Sequence, residues 1–154
     1  MAHIHKDIDF VANAFIVHKD RVLLIHHKGM GRWLAIGGHI ELTEDPEAAL
    51  FREIEEESGL KKKDLKIFAQ KPSPRYPGFD FLYPPTFLDI HDIKTGHRHV
   101  AFVYIFSSKT GKVTLKDDEH YDIRWFSKKD LEDKKYNFWP AVKYYCLKAF
   151  RITS

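Results

Sequence analysis

The sequence predicts a fold of mixed α and β structure, α+β or α/β, in which a mixed β-sheet is sandwiched between helices. Three observations support this prediction. Short apolar runs rich in β-branched residues recur along the chain and are typical of buried strands. Residues 45–58 and 138–152 instead carry apolar side chains at helical spacing. One run, at residues 100–107, is apolar almost throughout, which is typical of the centre of a sheet.

Length and composition indicate one domain over residues 1–154. Of the 154 residues, 44% are hydrophobic and 14% are aromatic, which is enough for a core and excludes a disordered chain. Cys146 is the only cysteine, so neither an internal disulfide nor a cysteine-rich zinc site can form. No apolar run reaches the ~18 residues of a membrane span, so we expect a cytoplasmic protein with no membrane partner.

The net charge conceals an uneven distribution. The chain has 25 Lys and Arg against 22 Asp and Glu, a formal +3, which gives no case for a nucleic-acid partner. Residues 41–57, however, hold eight acids and one arginine, a net of −7, so the rest of the chain carries +10. An acidic segment in a basic body suits a protein that holds divalent cations while attracting a polyphosphate.

The first strands come early in the chain. Residues 10–17 and 22–26 are apolar runs joined by a short polar segment, which predicts a pair of central strands with a tight turn. Residues 33–36 predict a short extended piece that ends in a turn at Gly37 and Gly38. Because glycine has no side chain, this turn would let the main chain approach an ion or a ligand closely.

The first helix has clear boundary signals. Asp45 is a good N-cap, Pro46 is tolerated at the first helical position, and Gly59 supplies the stop. Leu50 and Ile54 lie on one stripe of this helix, which predicts the face that docks on the sheet.

The remaining elements alternate strands with irregular structure. Further strands are predicted at residues 65–69, 87–90, 100–107 and 121–126. Residues 72–85 hold five prolines and four aromatics, which excludes a regular helix or a central strand and predicts a structured loop. Residues 128–133 predict one helical turn, and residues 138–152 predict an amphipathic C-terminal helix.

Three glutamates of the first helix share one face. At about 100° per residue, Glu53, Glu56 and Glu57 fall within an arc of roughly 100°. Like charges at this spacing cost about 0.2–0.5 kcal/mol per pair, and the helix dipole disfavours anions in the last turn by a further ~0.3–1 kcal/mol each. Arg52 is the only local compensation. A hard divalent cation would remove both penalties, whereas a solvated charged face is the alternative interpretation.

These residues belong to a longer pattern. It runs as Gly38, five residues, Glu44, seven residues, then Arg52-Glu53-Ile54-Glu55-Glu56-Glu57-Ser58-Gly59-Leu60. The pattern resembles the signature of the Nudix hydrolases at all nine constrained positions of residues 38–60. The resemblance implies the Nudix fold, with Mg²⁺ or Mn²⁺ as cofactor, and hydrolysis of a nucleoside diphosphate linked to another group.

The resemblance also implies roles for the acidic face. Glu56 and Glu57 would ligate the metal, with the carbonyl of Gly38 as a third ligand. Glu53 would be either a ligand or the general base that takes the proton from attacking water. Arg52 would pair with Glu53 and hold its orientation.

Three further residues complete the site expected from this resemblance. Glu44 would stabilise the arrangement of loop and helix, and Gly59 would end the helix. Relatives of this family often add an acidic residue from a later loop, for which residues 117–119 are the natural place and Glu119 is the candidate. An ordinary exposed acidic turn is the alternative for that segment.

Substrate-binding candidates lie outside the pattern. In the loop at residues 72–85, Tyr83 would stack on a base and Arg75 would contact phosphate, so that the loop acts as a lid. The alternative is a simple cover over one edge of the sheet. His39 follows Gly38 directly, which places it at the mouth of the site.

The chain also contains ten histidines. His97 and His99, together with His91, allow a metal-binding or phosphate-binding interpretation. Histidines at strand edges are more often structural or solvated, and no cysteine assists these three. The sequence leaves the two interpretations open.

We therefore expect a metal-dependent pyrophosphohydrolase that acts on a small-molecule nucleotide, with a nucleoside triphosphate as the first candidate. A dinucleoside polyphosphate, a nucleotide sugar or a capped RNA end would use the same site. A non-catalytic nucleotide-sensing module of the same fold is a third hypothesis, although such modules commonly have degraded signatures. Many relatives are dimers, so a homodimer is also open.

Overall fold

The computed structural model describes residues 3–116 and 118–154, and within them the backbone forms eight strands and two α-helices. The strands are β1 Ile8–His18, β2 Arg21–His27, β3 Arg32–Leu34, β4 Ile36–His39, β5 Leu65–Ile67, β6 Phe87–Lys94, β7 His97–Ser108 and β8 His120–Ser127. The helices are α1 Pro46–Ser58 and α2 Pro140–Thr153, and single 3₁₀ turns lie at Lys62–Asp64, Asp130–Glu132 and Lys134–Tyr136. No helix in the described ranges is long and apolar enough to cross a bilayer.

The eight described strands form one mixed sheet. Its main path is β3-β2-β1-β7-β5, while β4 also pairs with β1, β6 with β7, and β8 with β2. β1 and β7 are parallel, and the other pairs are antiparallel. The prediction of a mixed sheet with central strands at residues 10–17, 22–26 and 100–107 is confirmed.

The two helices pack on opposite faces of this sheet, because successive side chains of a strand point to opposite sides. On β1, Val11 and Phe15 belong to the core that contains the buried residues of α2. Ala12 and Ile16 belong to the core that contains the buried residues of α1. Cys146 of α2 is a free thiol in the first of these cores, and burial raises its pKa.

The backbone at Gly37 and Gly38 differs from the predicted turn. Both glycines lie inside β4, where Gly37 is opposite Asn13 and Gly38 is opposite Ala12 of β1. A Cβ atom on Gly37 would lie 2.2 Å from the carbonyl oxygen of Ala12. The prediction of a turn was wrong because the glycine is needed for close strand packing, which local sequence does not distinguish from a turn.

Other boundaries shift by a few residues. β6 and β7 extend past their predicted ends to form a hairpin that reaches Lys94 and His97, so His97 and His99 lie within β7. α2 begins at Pro140, two residues after the predicted start, with Trp139 as its N-cap. Residues 72–85 form no helix or strand and contain only an isolated bridge between Tyr76 and Phe79.

Candidate active site

Helix α1 presents the acidic face because both of its ends are fixed. At its start, the side chain of Asp45 accepts a hydrogen bond from the amide of Ala48 at 2.9 Å. At its end, Gly59 adopts a left-handed φ of 76° and its amide donates to the carbonyl of Glu55. The helix between these caps packs on β4 and β1. Its glutamates therefore meet the strand that carries Gly38.

Glu53 packs directly against Gly38. A Cβ atom at position 38 would lie 2.5 Å from Glu53 Oε1, so a larger residue would displace this carboxylate. The Glu53 side chain is only 13% exposed. Burial raises its pKa above the usual range, although the neighbouring Arg52 opposes this shift. A partly desolvated carboxylate therefore touches the backbone that the signature requires to be glycine.

Glu57 reaches the same strand one turn further along the helix. Its Oε1 accepts a hydrogen bond from the amide of Gly37 at 2.8 Å, and its Oε2 lies 3.3 Å from Nε2 of His120 on β8. The residue is buried, at 3% exposure. The carboxylate is thereby held between β4 and β8.

Arg52 connects the acidic residues to each other. Its guanidinium donates to Glu53 Oε1 at 2.9 Å and to Glu56 Oε2 at 3.2 Å. It also donates to the carbonyl of His39 at 3.2 Å. One cation therefore orients two of the three glutamates against the end of β4.

The strongest contact of Arg52 is with Glu44. Nε and Nη2 of Arg52 donate to the two oxygens of Glu44 at 3.0 and 2.6 Å, which is a bidentate pair. These hydrogen bonds lower the pKa of Glu44 and raise that of Arg52. Glu44 Oε1 also accepts from the amide of Glu41 at 3.0 Å, so the pair ties the loop before the helix to the helix itself.

Glu56 is the most open of the three glutamates. Its side chain is 57% exposed, and it lines a cleft of about 640 Å³ with Arg52, Glu55 and Lys116. Glu55 turns away from Gly38 and forms an ion pair with Lys61. The cleft thus gives solvent and ions access to the edge of the acidic face.

A larger cavity of about 800 Å³ lies on the α2 side of β4. Gly37, Gly38 and His120 contribute to its wall, next to the acidic face. Apolar and aromatic residues of the sheet and α2, such as Phe15 and Trp139, line the remainder. Its size and apolar lining are typical of a site for a small organic ligand.

The later acidic segment lies close to Glu53. The charge of Glu119 contributes to the raised pKa of Glu53, and the Glu119 carbonyl accepts from the amide of Lys28 at 3.1 Å. Asp117 lies outside the described residues. The role of Glu119 as an additional ligand or base stays a prediction.

The residues predicted for the lid lie away from the cavity. Arg75 is exposed, and the amide of Tyr83 donates to Glu47 Oε1 on α1 at 2.5 Å. Lys71 lies 4.3 Å from the centre of the Tyr83 ring. Neither Arg75 nor Tyr83 is among the described residues that line the cavity. Their role in substrate binding stays a prediction without a supporting contact.

His39 lies in the wall of the cavity but faces a buried acid. It is 5% exposed, and its Nε2 lies 3.1 Å from Oδ2 of Asp9. Burial raises the pKa of Asp9, but hydrogen bonds from the His5 and Ile4 amides and the nearby His39 outweigh this effect and bring it below its usual value. Burial lowers the pKa of His99 to about 4. No local sequence motif marks Asp9, so the sequence did not predict this contact.

The acidic face fits a hard divalent cation. Carboxylate and backbone carbonyl oxygens, such as those of Glu53, Glu56, Glu57 and Gly38, are the donors that Mg²⁺ and Mn²⁺ prefer. Because Gly38 has no Cβ atom, the Glu53 carboxylate can lie directly against its backbone. Arg52 donates to two of the three carboxylates, so the face retains negative charge for an ion.

The fold and this site together define a Nudix-class protein. A crystal structure of a NUDIX-family hydrolase from Clostridium perfringens superposes with a TM-score of 0.79 and 28% identity, covering 98% of this chain and 100% of that one. A MutT NUDIX hydrolase from Burkholderia pseudomallei has a TM-score of 0.64 and 25% identity, covering 96% and 98% of the two chains. The NUDIX domain model matches residues 9–147, and the chain belongs to this family.

Curated relatives match over part of their length. The NAD-capped RNA hydrolase NudC of Haemophilus influenzae strain PittGG is 29% identical over 111 residues, which is 69% of this chain and 34% of that protein. The RNA pyrophosphohydrolase of Hamiltonella defensa is 47% identical over 49 residues, 32% of this chain and 30% of that protein. The chain therefore spans about a third of the length of the curated relatives it matches.

Proposed function

We propose that this chain hydrolyses a phosphoanhydride bond in a nucleoside diphosphate linked to another group. The observation that carries this proposal is the contact of Glu53 with Gly38, which joins the acidic face to the wall of the cavity. A small-molecule nucleotide would place its nucleoside in the apolar cavity and its phosphates beside the glutamates. A nucleoside triphosphate is the first candidate substrate.

The acidic face would hold Mg²⁺ or Mn²⁺ through Glu56, Glu57 and the carbonyl of Gly38. When bound there, such an ion neutralises the charge of the phosphate oxygens and acidifies the attacking water. Arg52 holds Glu53 and Glu56 in position through hydrogen bonds of 2.9 and 3.2 Å. These contacts keep the donor oxygens on one side of the helix.

Glu53 would either take the proton from the attacking water or act as a further ligand. Burial raises its pKa, which makes this carboxylate a stronger base than an exposed glutamate. In the reaction, the water oxygen forms a bond to one phosphorus while the anhydride bond to that phosphorus breaks. The leaving phosphate keeps the electron pair of the broken bond.

A substrate panel tests the activity. The purified chain is incubated with nucleoside triphosphates, dinucleoside polyphosphates, nucleotide sugars, NAD and capped RNA, each with and without Mg²⁺ or Mn²⁺. We expect metal-dependent products that contain a nucleoside monophosphate, with ¹⁸O from labelled water in one product phosphate. An absence of metal-dependent turnover over the whole panel would favour the sensing module instead.

The two roles of Glu53 are separated by metal titration of Glu53→Gln. If Glu53 is a ligand, the variant requires more Mn²⁺ for half-maximal turnover. If it is the base, kcat falls while the half-maximal Mn²⁺ concentration stays that of the unsubstituted chain. Glu55→Gln, which alters a carboxylate that faces Lys61, is the control on the same helix.

RNA 5′ ends are a second candidate substrate class. The relatives from Haemophilus influenzae and Hamiltonella defensa are named for hydrolysis of NAD-capped RNA and for RNA pyrophosphohydrolysis. A preference for NAD-capped or triphosphorylated RNA over free nucleotides in the same panel would select this class.

A further inference from the structure

A cluster of histidines surrounds Asp9 on the α2 side of the sheet, separate from the glutamates. Asp9 of β1 is opposite His99 of β7 in the parallel pair, and His97 lies two residues earlier on the same face. His3, before β1, brings its ring to 3.8 Å from that of His97, measured between ring centres. One donor atom from each of these four residues lies within 4.8 Å of the other three.

Too many nitrogens approach one oxygen for hydrogen bonding to explain the cluster. Oδ2 of Asp9 lies 3.2 Å from Nδ1 of His3, 3.1 Å from Nε2 of His39 and 3.3 Å from Nε2 of His97. It also accepts from the amide of Ile4 at 3.2 Å. A carboxylate oxygen has about two lone-pair sites. Nε2 of His39 and of His97 are buried and make no hydrogen bond.

The tautomer of His97 makes this conflict sharper. Its Nδ1 lies 2.8 Å from the carbonyl of Lys6, which can only accept, so Nδ1 carries the proton. In a neutral ring, Nε2 then carries a bare lone pair 3.3 Å from Oδ2 of Asp9 inside the protein, where His97 is 2% exposed. The two lone pairs repel each other unless a cation or a further proton lies between them.

A metal ion between Asp9 and His97 would remove this repulsion. Histidines that bind metals commonly donate their other ring nitrogen to a backbone carbonyl, as His97 does to Lys6. Bonds of about 2.0–2.2 Å to a tetrahedral Zn²⁺ place donor atoms about 3.3–3.5 Å apart. The separations of 3.2 and 3.3 Å between Asp9 and the rings of His3 and His97 are close to that value. The donor atom of His99 lies within 4.8 Å of the other three donors, so it is the fourth candidate ligand.

We infer that His3, Asp9, His97 and His99 form a Zn²⁺ site, distinct from the hard-cation site on α1. Four protein ligands leave no open position, which is the pattern of a structural zinc site. No lysine or arginine in the described ranges forms an ion pair with Asp9, so the ion would supply the missing positive charge. Bound Zn²⁺ would link the segment that precedes β1 to strand β7, beside the cavity.

Zinc uptake by the full chain tests this site. Tag-free protein is stripped with a chelator, supplied with excess Mg²⁺ to fill the glutamates, and titrated with Zn²⁺ alone. We expect one equivalent of Zn²⁺ by elemental analysis, a rise in Tm, and tetrahedral ligand-field absorption when Co²⁺ replaces Zn²⁺.

Two variants and two controls locate the ion. Loss of a residue that only supports a metal ligand weakens metal binding about 10–100-fold. His97→Asn and His3→Asn remove ligands, so each should weaken Zn²⁺ binding by more than this. His3 has a 29% exposed side chain, so its variant keeps the test valid if His97→Asn fails to fold. His5→Asn, on the same segment, and Glu56→Gln should retain the ion.

Three outcomes would overturn the site. One is Zn²⁺ binding that His3→Asn and His97→Asn leave unchanged. Another is binding that only Glu56→Gln removes, which would place the ion at the glutamates. The third is no Zn²⁺ binding to the full chain, in which case the cluster is not a zinc site.

Discussion

The acidic face of α1 contacts Gly38, and Asp9 of the histidine cluster lies beside the next residue, His39. The two clusters nevertheless differ in the chemistry of their donor atoms and in their exposure to solvent. The acidic face offers oxygen donors from one helix, and its Glu56 is half exposed. The histidine cluster offers three imidazoles and one carboxylate, which come from β1, β7 and the segment before β1. Donor chemistry therefore separates a hard-cation site from a zinc site within one small domain.

The two clusters also balance their charges in different ways. The glutamates repel one another and depend on Arg52, which also pairs with Glu44. The histidines surround a single buried acid, Asp9, and the ring nitrogens of His39 and His97 lie near it without a hydrogen bond. Glu56 of the first cluster is open to solvent, whereas Asp9 and His97 of the second are buried on the α2 side of the sheet.

The largest effect is expected for Glu57→Gln. The side-chain amide oxygen of glutamine can still accept the hydrogen bond from Gly37, so folding should change little. The proposed metal site, however, loses a negatively charged ligand. Because a metal supplies several kcal/mol of transition-state stabilisation, we expect turnover to fall about 10²–10⁴-fold. Steady-state kinetics with the best substrate of the panel measure this loss.

Glu57→Gln also tests whether the acidic face and the histidine cluster are independent sites. Zn²⁺ uptake by Glu57→Gln should equal that of the unsubstituted chain, and Glu55→Gln should keep both properties. Near-normal turnover would refute the ligand assignment of Glu57. A joint loss of turnover and Zn²⁺ uptake in a folded protein would show that the clusters act as one site.

A smaller effect is expected for Gly38→Ala. Its Cβ would lie 2.5 Å from Glu53 Oε1, so the carboxylate must move by about 1 Å to reach ordinary contact. A displacement of this size costs about 10²-fold in rate. The measurement is kcat at saturating Mn²⁺, with circular dichroism as a check of folding. Unchanged kcat would show that the position of Glu53 is not critical.

The smallest effect is on stability, through Glu44→Gln. The variant loses the charge of the bidentate pair with Arg52, and hydrogen bonds to charged groups are worth about 1.5–3 kcal/mol. We expect a loss at the lower end of this range in urea unfolding at pH 7, because the amide oxygen keeps one contact. Glu41→Gln, an exposed carboxylate on the same loop, is the control.

The pH dependence of this loss has a defined sign. Arg52 holds the folded-state pKa of Glu44 below its ordinary 4.5, so the stabilisation is complete above pH 4.5 and disappears as the pH falls through the folded-state pKa. The free energy of unfolding of the unsubstituted chain should therefore fall more steeply below pH 4.5 than that of Glu44→Gln. Parallel curves would show that the pair adds no pH-dependent stability.

Local sequence patterns were sufficient to predict the first helix, its acidic face and the mixed sheet. These features depend on short-range periodicity: a helix repeats every 3.6 residues, and a strand alternates every two. The pattern over residues 38–60 is one continuous segment, so its spacing alone indicates the family. Asp45 and Gly59 bound the helix as predicted because capping is a local property of the chain.

The contacts between these elements could not be predicted in the same way. The place of Gly37 inside β4, the contact of Gly38 with Glu53 and the positions of Arg75 and Tyr83 depend on packing between segments. Asp9 meets His99 because the parallel register of β1 and β7 aligns them across a long stretch of chain. Strand register is set by the whole buried face and not by neighbouring residues, which is why the sequence showed the histidines but not the acid they surround.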